Sequence, residues 1–123
     1  MFDELSMQDK MRIVQELVPG KQITIAHIIA NPDNILYRKL GLDPAIEYSK
    51  TAIGIVTMSP AETAIIAGDI ALKSSGVELG FVDRFSGTLI VTGNVSDVQA
   101  SLNALVDYCK ETLGFTVCPI TKT

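Results

Sequence analysis

The chain has no tryptophan, one histidine and two cysteines among its 123 residues. Each scarcity removes a class of function. With no tryptophan and only three tyrosines there is no aromatic platform on which single-stranded nucleic acid could stack. The lone histidine, His27, falls in an expected strand, where such a residue is far more often structural than catalytic. Cys109 and Cys118 stand nine positions apart across Gly114, which is not metal-ligand spacing. The glycines Gly76, Gly80, Gly87 and Gly93 are scattered, with no GxGxxG and no P-loop to cradle a phosphate. Apolar runs such as 28–30 and 64–67 are far shorter than the roughly 20 residues of a membrane span. The opening MFDELSMQDK is polar and acidic, so no export or transit segment is read there. Free thiols in a reducing cytosol follow as the expectation. Ten basic against fourteen acidic residues give a net charge of −4, which argues against nucleic acid and against anionic membrane surfaces. No cofactor and no catalysis are expected from this inventory.

What is abundant is apolar surface. Hydrophobic residues make up 47% of the chain and the mean hydropathy is +0.31. A domain of this size hides only about two thirds of its surface on folding. Part of the excess is therefore assigned to contacts with other subunits.

Along the chain, residues 6–17 support two readings. Ser6 with Asp9 three positions later opens a helix, whereas Met11, Ile13 and Leu17 against Arg12 and Glu16 alternate as in a strand. Val18-Pro19-Gly20-Lys21 is a turn. Gln22 to Ala30 is a strand rich in Ile and Thr. A short helix to about Leu40 follows, with Asn31 as cap, Pro32 at its first position and Gly41 just past its end. Residues 42–51 form a polar connector. Ala52 to Met58 is a strand of continuous hydrophobicity, and Ser59-Pro60-Ala61-Glu62 reads as a capping box opening a helix to about Ser74. Small residues on that helix (Ala61, Ala64, Ala67, Gly68, Ala71) suit close approach to a sheet or to a neighbouring subunit. Strands 77–83 and 88–92 flank a tight hairpin at Arg84-Phe85-Ser86-Gly87. A helix over about 96–113 carries a stripe of Val98, Leu102, Leu105, Val106, Cys109 and Leu113. Phe115 to Ile120 is a final strand. Residues 52–121 thus read β-α-β-β-α-β, an α/β (α+β) ferredoxin-like split βαβ pattern preceded by an extra strand and helix.

Cys109, lying in the apolar stripe, reads as a buried structural thiol. Asp83-Arg84 reads as a charged pair on a solvated turn or subunit contact. Residue types alone leave an oligomeric α/β domain whose surfaces matter more than its side-chain chemistry. A small-molecule-binding regulatory oligomer, and an enzyme using His27 with Asp83-Arg84, are the rival readings.

Several segments together narrow this. Val18-Pro19-Gly20-Lys21-Gln22, Ala26-His27-Ile28-Ile29-Ala30-Asn31-Pro32, Ala52-Ile53-Gly54-Ile55, Pro60-Ala61-Glu62, Gly68-Asp69-Ile70-Ala71 and Gly80-Phe81-Val82-Asp83-Arg84-Phe85-Ser86-Gly87 resemble bacterial microcompartment (BMC) shell proteins. The closer similarity is to the circularly permuted subgroup of ethanolamine-, propanediol- and choline-utilisation compartments, from about Ile13 to Thr121. The resemblance implies a structural shell subunit in the bacterial cytoplasm that forms a cyclic hexamer, tiles with other shell proteins and encloses enzymes. It implies one permuted BMC domain over 22–123 behind a leader, 1–21. Arg84, Phe85, Ser86 and Gly87 then face the six-fold axis. The leader residues Arg12, Ile13, Val14, Gln15, Glu16, Leu17 and Val18 then form a small barrel capping the pore. Lys73 matches an edge lysine packing between hexamers; an ordinary cation at a helix C-terminus is the other reading. Either 23–30 or 115–120 can fill the last sheet position.

Overall fold

The computed structural model describes residues 20–41 and 51–123. The helix-or-strand alternative for 6–17, the barrel assignment of Arg12 to Val18 and the connector over 42–50 lie outside the described residues. Eight elements follow one another: β1 (Gln22–Ile29), α1 (Asn34–Leu40), β2 (Ala52–Ser59), α2 (Thr63–Ser74), β3 (Glu78–Asp83), β4 (Thr88–Gly93), α3 (Val95–Glu111) and β5 (Thr121–Lys122).

Alternation along each strand decides the layers. In β2, Ala52, Val56 and Met58 point to one face, where they join Leu89 and Val91 of β4 and Ile23 and Ile28 of β1. Helices α2 and α3 close over that face with Ala64, Ala67, Ala71, Val98, Leu102 and Leu105. Fully burying a side chain such as Leu102 is worth about 1.5–3 kcal/mol. The other face is covered only in part: Tyr37 and Leu36 of α1 pack on Ile53, Ile55 and Ile90, and the Tyr37 hydroxyl donates to the Thr51 carbonyl. Glycine is required at Gly54, where a Cβ would stand 2.8 Å from Leu102 and 2.9 Å from Val98.

The sheet order is β3-β4-β2-β1-β5. Neighbours from β3 to β1 are antiparallel, and β5 joins β1 in parallel. The last sheet position beside β2 therefore belongs to β1, the strand that precedes the βαββα run. The C-terminal segment lies outside β1. It is not the continuous strand expected over 115–120: only a bridge at Gln22–Thr116 and the two-residue β5 form. Both keep one register, but Pro119 between them has no N–H to place in the ladder.

Two helix starts also differ from expectation. Helix α1 is capped by Asp33, whose Oδ1 accepts from the Ile35 N–H at 3.0 Å, and not by Asn31. Its end at Gly41, φ 67°, is as expected. The box at Ser59–Glu62 does not form, because Ser59 remains in β2 opposite Gln22. The chain enters α2 through tight turns instead, with Thr63 N–H to Pro60 O, Ala64 to Ala61 and Ile65 to Glu62 at 3.0–3.1 Å. In α3 the expected stripe is buried from Val98 to Cys109, while Leu113 falls beyond the helix end. Ser101 joins that stripe, fully buried, with its hydroxyl donating to Ala71 O at 3.2 Å.

Candidate assembly site

The turn after β3 is fixed from three directions. The Asp83 carboxylate accepts from the Phe85 N–H and from the Ser86 hydroxyl, each at 2.8 Å. These two bonds, the Phe85 N–H first, hold its pKa below the usual carboxylate range. Gly87 N–H donates to Asp83 O, and Met58 N–H donates to Gly87 O, both at 2.9 Å. Gly87 has φ 77°, and a Cβ there would lie 2.1 Å from the Met58 carbonyl oxygen. This turn belongs to glycine on two counts. On the rigid tip Phe85 is 81% exposed, with the Arg84 guanidinium 5.0 Å from its ring centroid, a cation–π distance. Gln22 pairs with Ser59, next to the Met58 that holds Gly87. β1 therefore begins at the same end of the sheet as Arg84-Phe85-Ser86-Gly87.

Lys73 lies in the last turn of α2 and is 75% exposed, with its Nζ 2.8 Å from Asp69 Oδ2. The Asp69 carboxylate raises its pKa. This i,i+4 pair is a local role for Lys73; at such exposure it contributes little to stability.

The residues of the rival enzyme reading are not brought together. His27 sits on β1, and β2 and β4 separate it from β3, which ends at Asp83. Three inter-strand steps amount to about 14 Å. His27 instead fastens the C-terminus, with Nδ1 2.5 Å from Thr121 Oγ1 and Nε2 2.9 Å from Thr123 Oγ1. Cys109 is buried, which pushes its thiol pKa up, and both cysteines are free. Among the described residues no group of three or more His, Cys, Asp or Glu could hold a metal. No described helix is long and apolar enough to cross a membrane.

What sequence reasoning missed is the direction of α2. Its small residues Ala64, Ala67, Gly68 and Ala71 face inward, and its large ones, Ile65, Ile66 and Leu72, face outward at about half exposure. On the same face of the edge strand β3, Leu79 and Val82 are also exposed, while Phe81, opposite Ile90, is exposed on the other face. The sequence held the excess hydropathy as a signal, but spacing alone did not say which side of α2 carried it.

Exposed apolar side chains along α2 and β3 are the kind of surface that marks a protein–protein contact. The comparisons with known proteins agree. The BMC domain family matches residues 52–121. Bacterial microcompartment shell protein PduU of Salmonella typhimurium is 51% identical over 91% of this chain and 93% of its own. Shell protein EutS of Escherichia coli is 49% identical over 93% of this chain and 98% of its own. Among solved structures, the CutR flat hexamer aligns at a TM-score of 0.79 and 46% identity, covering 91% of this chain and 99% of that one. The chain belongs to the BMC-domain family of microcompartment shell proteins, and its role is structural, not enzymatic.

Proposed function

We propose that six copies of this chain close a ring around the Arg84-Phe85-Ser86-Gly87 turn and that such rings tile with other shell proteins around encapsulated enzymes. The observation that carries it is the apolar flank of α2 and β3. Covering the exposed half of Ile65, Ile66, Leu72, Leu79 and Val82 is worth roughly 1 kcal/mol per side chain. An edge strand left bare in this way invites a partner, and a closed ring is the usual answer. Circular permutation of the domain is part of this reading, supported by a family match that begins at residue 52 while β1, which precedes it, fills the sheet position beside β2. In this reading the leader, 1–21, lies at the axial end and Arg12 to Val18 cap the pore, which the start of β1 beside Met58 and Gly87 supports. Lys73, at the free end of α2, is the contact between rings.

Sedimentation velocity and native mass spectrometry test the ring. The wild-type protein sediments as a hexamer, and Ile65→Lys, which puts a charge into the flank, releases monomers that still fold. A wild-type monomer at micromolar concentration, or an intact hexamer in the variant, overturns the assignment.

A further inference from the structure

The lone histidine commits both ring nitrogens to one short segment. Nδ1 of His27 meets the Thr121 hydroxyl at 2.5 Å and Nε2 meets the Thr123 hydroxyl at 2.9 Å. A neutral imidazole has one donor and one acceptor nitrogen, and a hydroxyl fills either part, so both bonds form without a charge. Main-chain bonds join residues 115–123 to β1 at both ends. Ile23 N–H donates to Thr116 O at 2.8 Å, and Ala30 N–H to Thr123 O and Thr123 N–H to Ile28 O at 2.9 Å each. Between these fastenings Val117, Cys118 and Ile120 are half-buried against the core. Pro119 has no N–H for the ladder, so the far end of the segment depends on the two-residue β5 and on His27. Residues 115–123 thus form a strap along the sheet edge opposite β3.

We infer that this strap is the second half of the ring contact, receiving the α2–β3 flank of the next copy, and that His27 is the positioning residue that holds it there; this rests on the ring proposed above. A closed ring is heterologous: each copy offers one patch to one neighbour and a different patch to the other. With the 84–87 turn at the axis, the flank lies on one side of the subunit and the strap on the other, four strand spacings or about 19 Å away. The two edges also match. One row of the register runs from Leu79 through Val91, Gly54 and Ile28 to Lys122, so Lys122 stands level with Leu79. Strand β3 holds Glu78 and Asp83 and no base, whereas the strap holds Lys122 and no acid. Opposite charge on the two edges favours head-to-tail contact and disfavours pairing of like edges. Without His27 the strap loosens at its far end and must be ordered when the ring closes, which weakens assembly without entering the core.

The test uses the full-length protein. Leu79→Cys and Lys122→Cys are combined in a Cys118→Ser background, oxidised and run on a denaturing gel, with native mass spectrometry of the unoxidised sample. The expected product is a covalent ladder from dimer to hexamer, which neither cysteine gives alone. His27→Ala slows the ladder and raises the concentration at which the ring dissociates roughly tenfold, with the far-UV circular dichroism unchanged. His27→Gln, which keeps one donor and one acceptor, recovers part of that loss. A hexamer that gives no ladder overturns the strap contact and leaves the ring standing. Dimers from Leu79→Cys alone overturn it too, since they mean that like edges meet. A ladder as strong with His27→Ala as without it overturns the positioning role. No hexamer at micromolar concentration removes the ring and the strap contact together.

Discussion

Replacing Gly87 by alanine separates two costs that usually arrive together. The first is conformational: at φ 77° an L residue is held in the left-handed region, which costs about 1–2 kcal/mol. The second is steric. The new Cβ would lie 2.1 Å from the Met58 carbonyl oxygen and 3.2 Å from the Ala61 Cα. Both are main-chain atoms, which cannot rotate away. The turn must therefore lift from β2, giving up the Met58–Gly87 hydrogen bond, worth about 1 kcal/mol, and loosening the Asp83 bonds to Phe85 and Ser86. A total of about 3–5 kcal/mol is expected, a large share of a typical 5–15 kcal/mol stability. Gly41 and Gly114 supply the control, with φ 67° and 72° and nothing within 4 Å of where a Cβ would stand. Alanine there meets the conformational cost alone. Thermal unfolding at one fixed protein concentration, which holds any assembly contribution constant, reads the difference. Gly87→Ala lowers Tm by roughly 10–25 °C, and Gly41→Ala and Gly114→Ala by well under half of that. Equal shifts in all three would refute the contact with Met58 as the reason for glycine at 87.

The remaining predictions concern charge and the leader. Because the folded pKa of Asp83 is depressed, its contribution is fully present above the unfolded value, near pH 4, and is lost as the pH falls through the lower folded value. The stability gap between wild type and Asp83→Asn should therefore be flat from about pH 5 to 8 and close only in acid; a gap widening below about pH 4 contradicts the cap. Lys73→Glu places like charges at positions 69 and 73, yet at this exposure it should leave the hexamer and its melting almost unchanged. Its effect appears, by negative-stain microscopy, as loss of extended sheets; unaltered sheets return Lys73 to its local pair with Asp69. Deleting residues 1–17 should leave the hexamer folded and make Phe85→Cys more reactive to a bulky thiol reagent, whereas loss of the hexamer would make the leader part of the subunit contact.

Most of the order of elements was legible because it depends on local chemistry. The hydrophobic run of β2, the hairpin at 84–87 and the α3 stripe from Val98 to Cys109 are set by near neighbours and stand where the pattern put them. Two of the misses arose where a distant residue decided, and one, the cap of α1, was a choice between near neighbours. Asn31 and Asp33 are both good caps, and Asp33 won by accepting from Ile35. Ser59 is a good cap by type, but pairing with Gln22 keeps it in β2. Phe115 to Ile120 has strand composition apart from Pro119, and the competition for the place beside β2 is settled by β1, at the other end of the chain. Of the proposed site, the turn and its glycine were readable. The cap that fixes the turn, with the Asp83 carboxylate on the Phe85 N–H and the Ser86 hydroxyl, was not.

The orientation of α2 shows why its apolar character resisted reading and what it is for. A helix packed on one core usually turns its large side chains inward and its polar ones outward. Here Ala64, Ala67, Gly68 and Ala71 face inward, and Ser101 of α3 reaches the Ala71 carbonyl at 3.2 Å. That bond requires the two helices to lie close, which bulky residues at the contact would prevent. Close packing therefore uses up the small residues and leaves Ile65, Ile66 and Leu72 only the outer side. With apolar residues on both sides, the helix has weak periodicity, so spacing could not assign a direction. For a monomer the outer isoleucines would be a liability. In the proposed ring they become a second packing surface, turned to a neighbouring copy. In the proposed ring one helix serves the fold through its small residues and the assembly through its large ones, and Ile65→Lys acts on the second without entering the first.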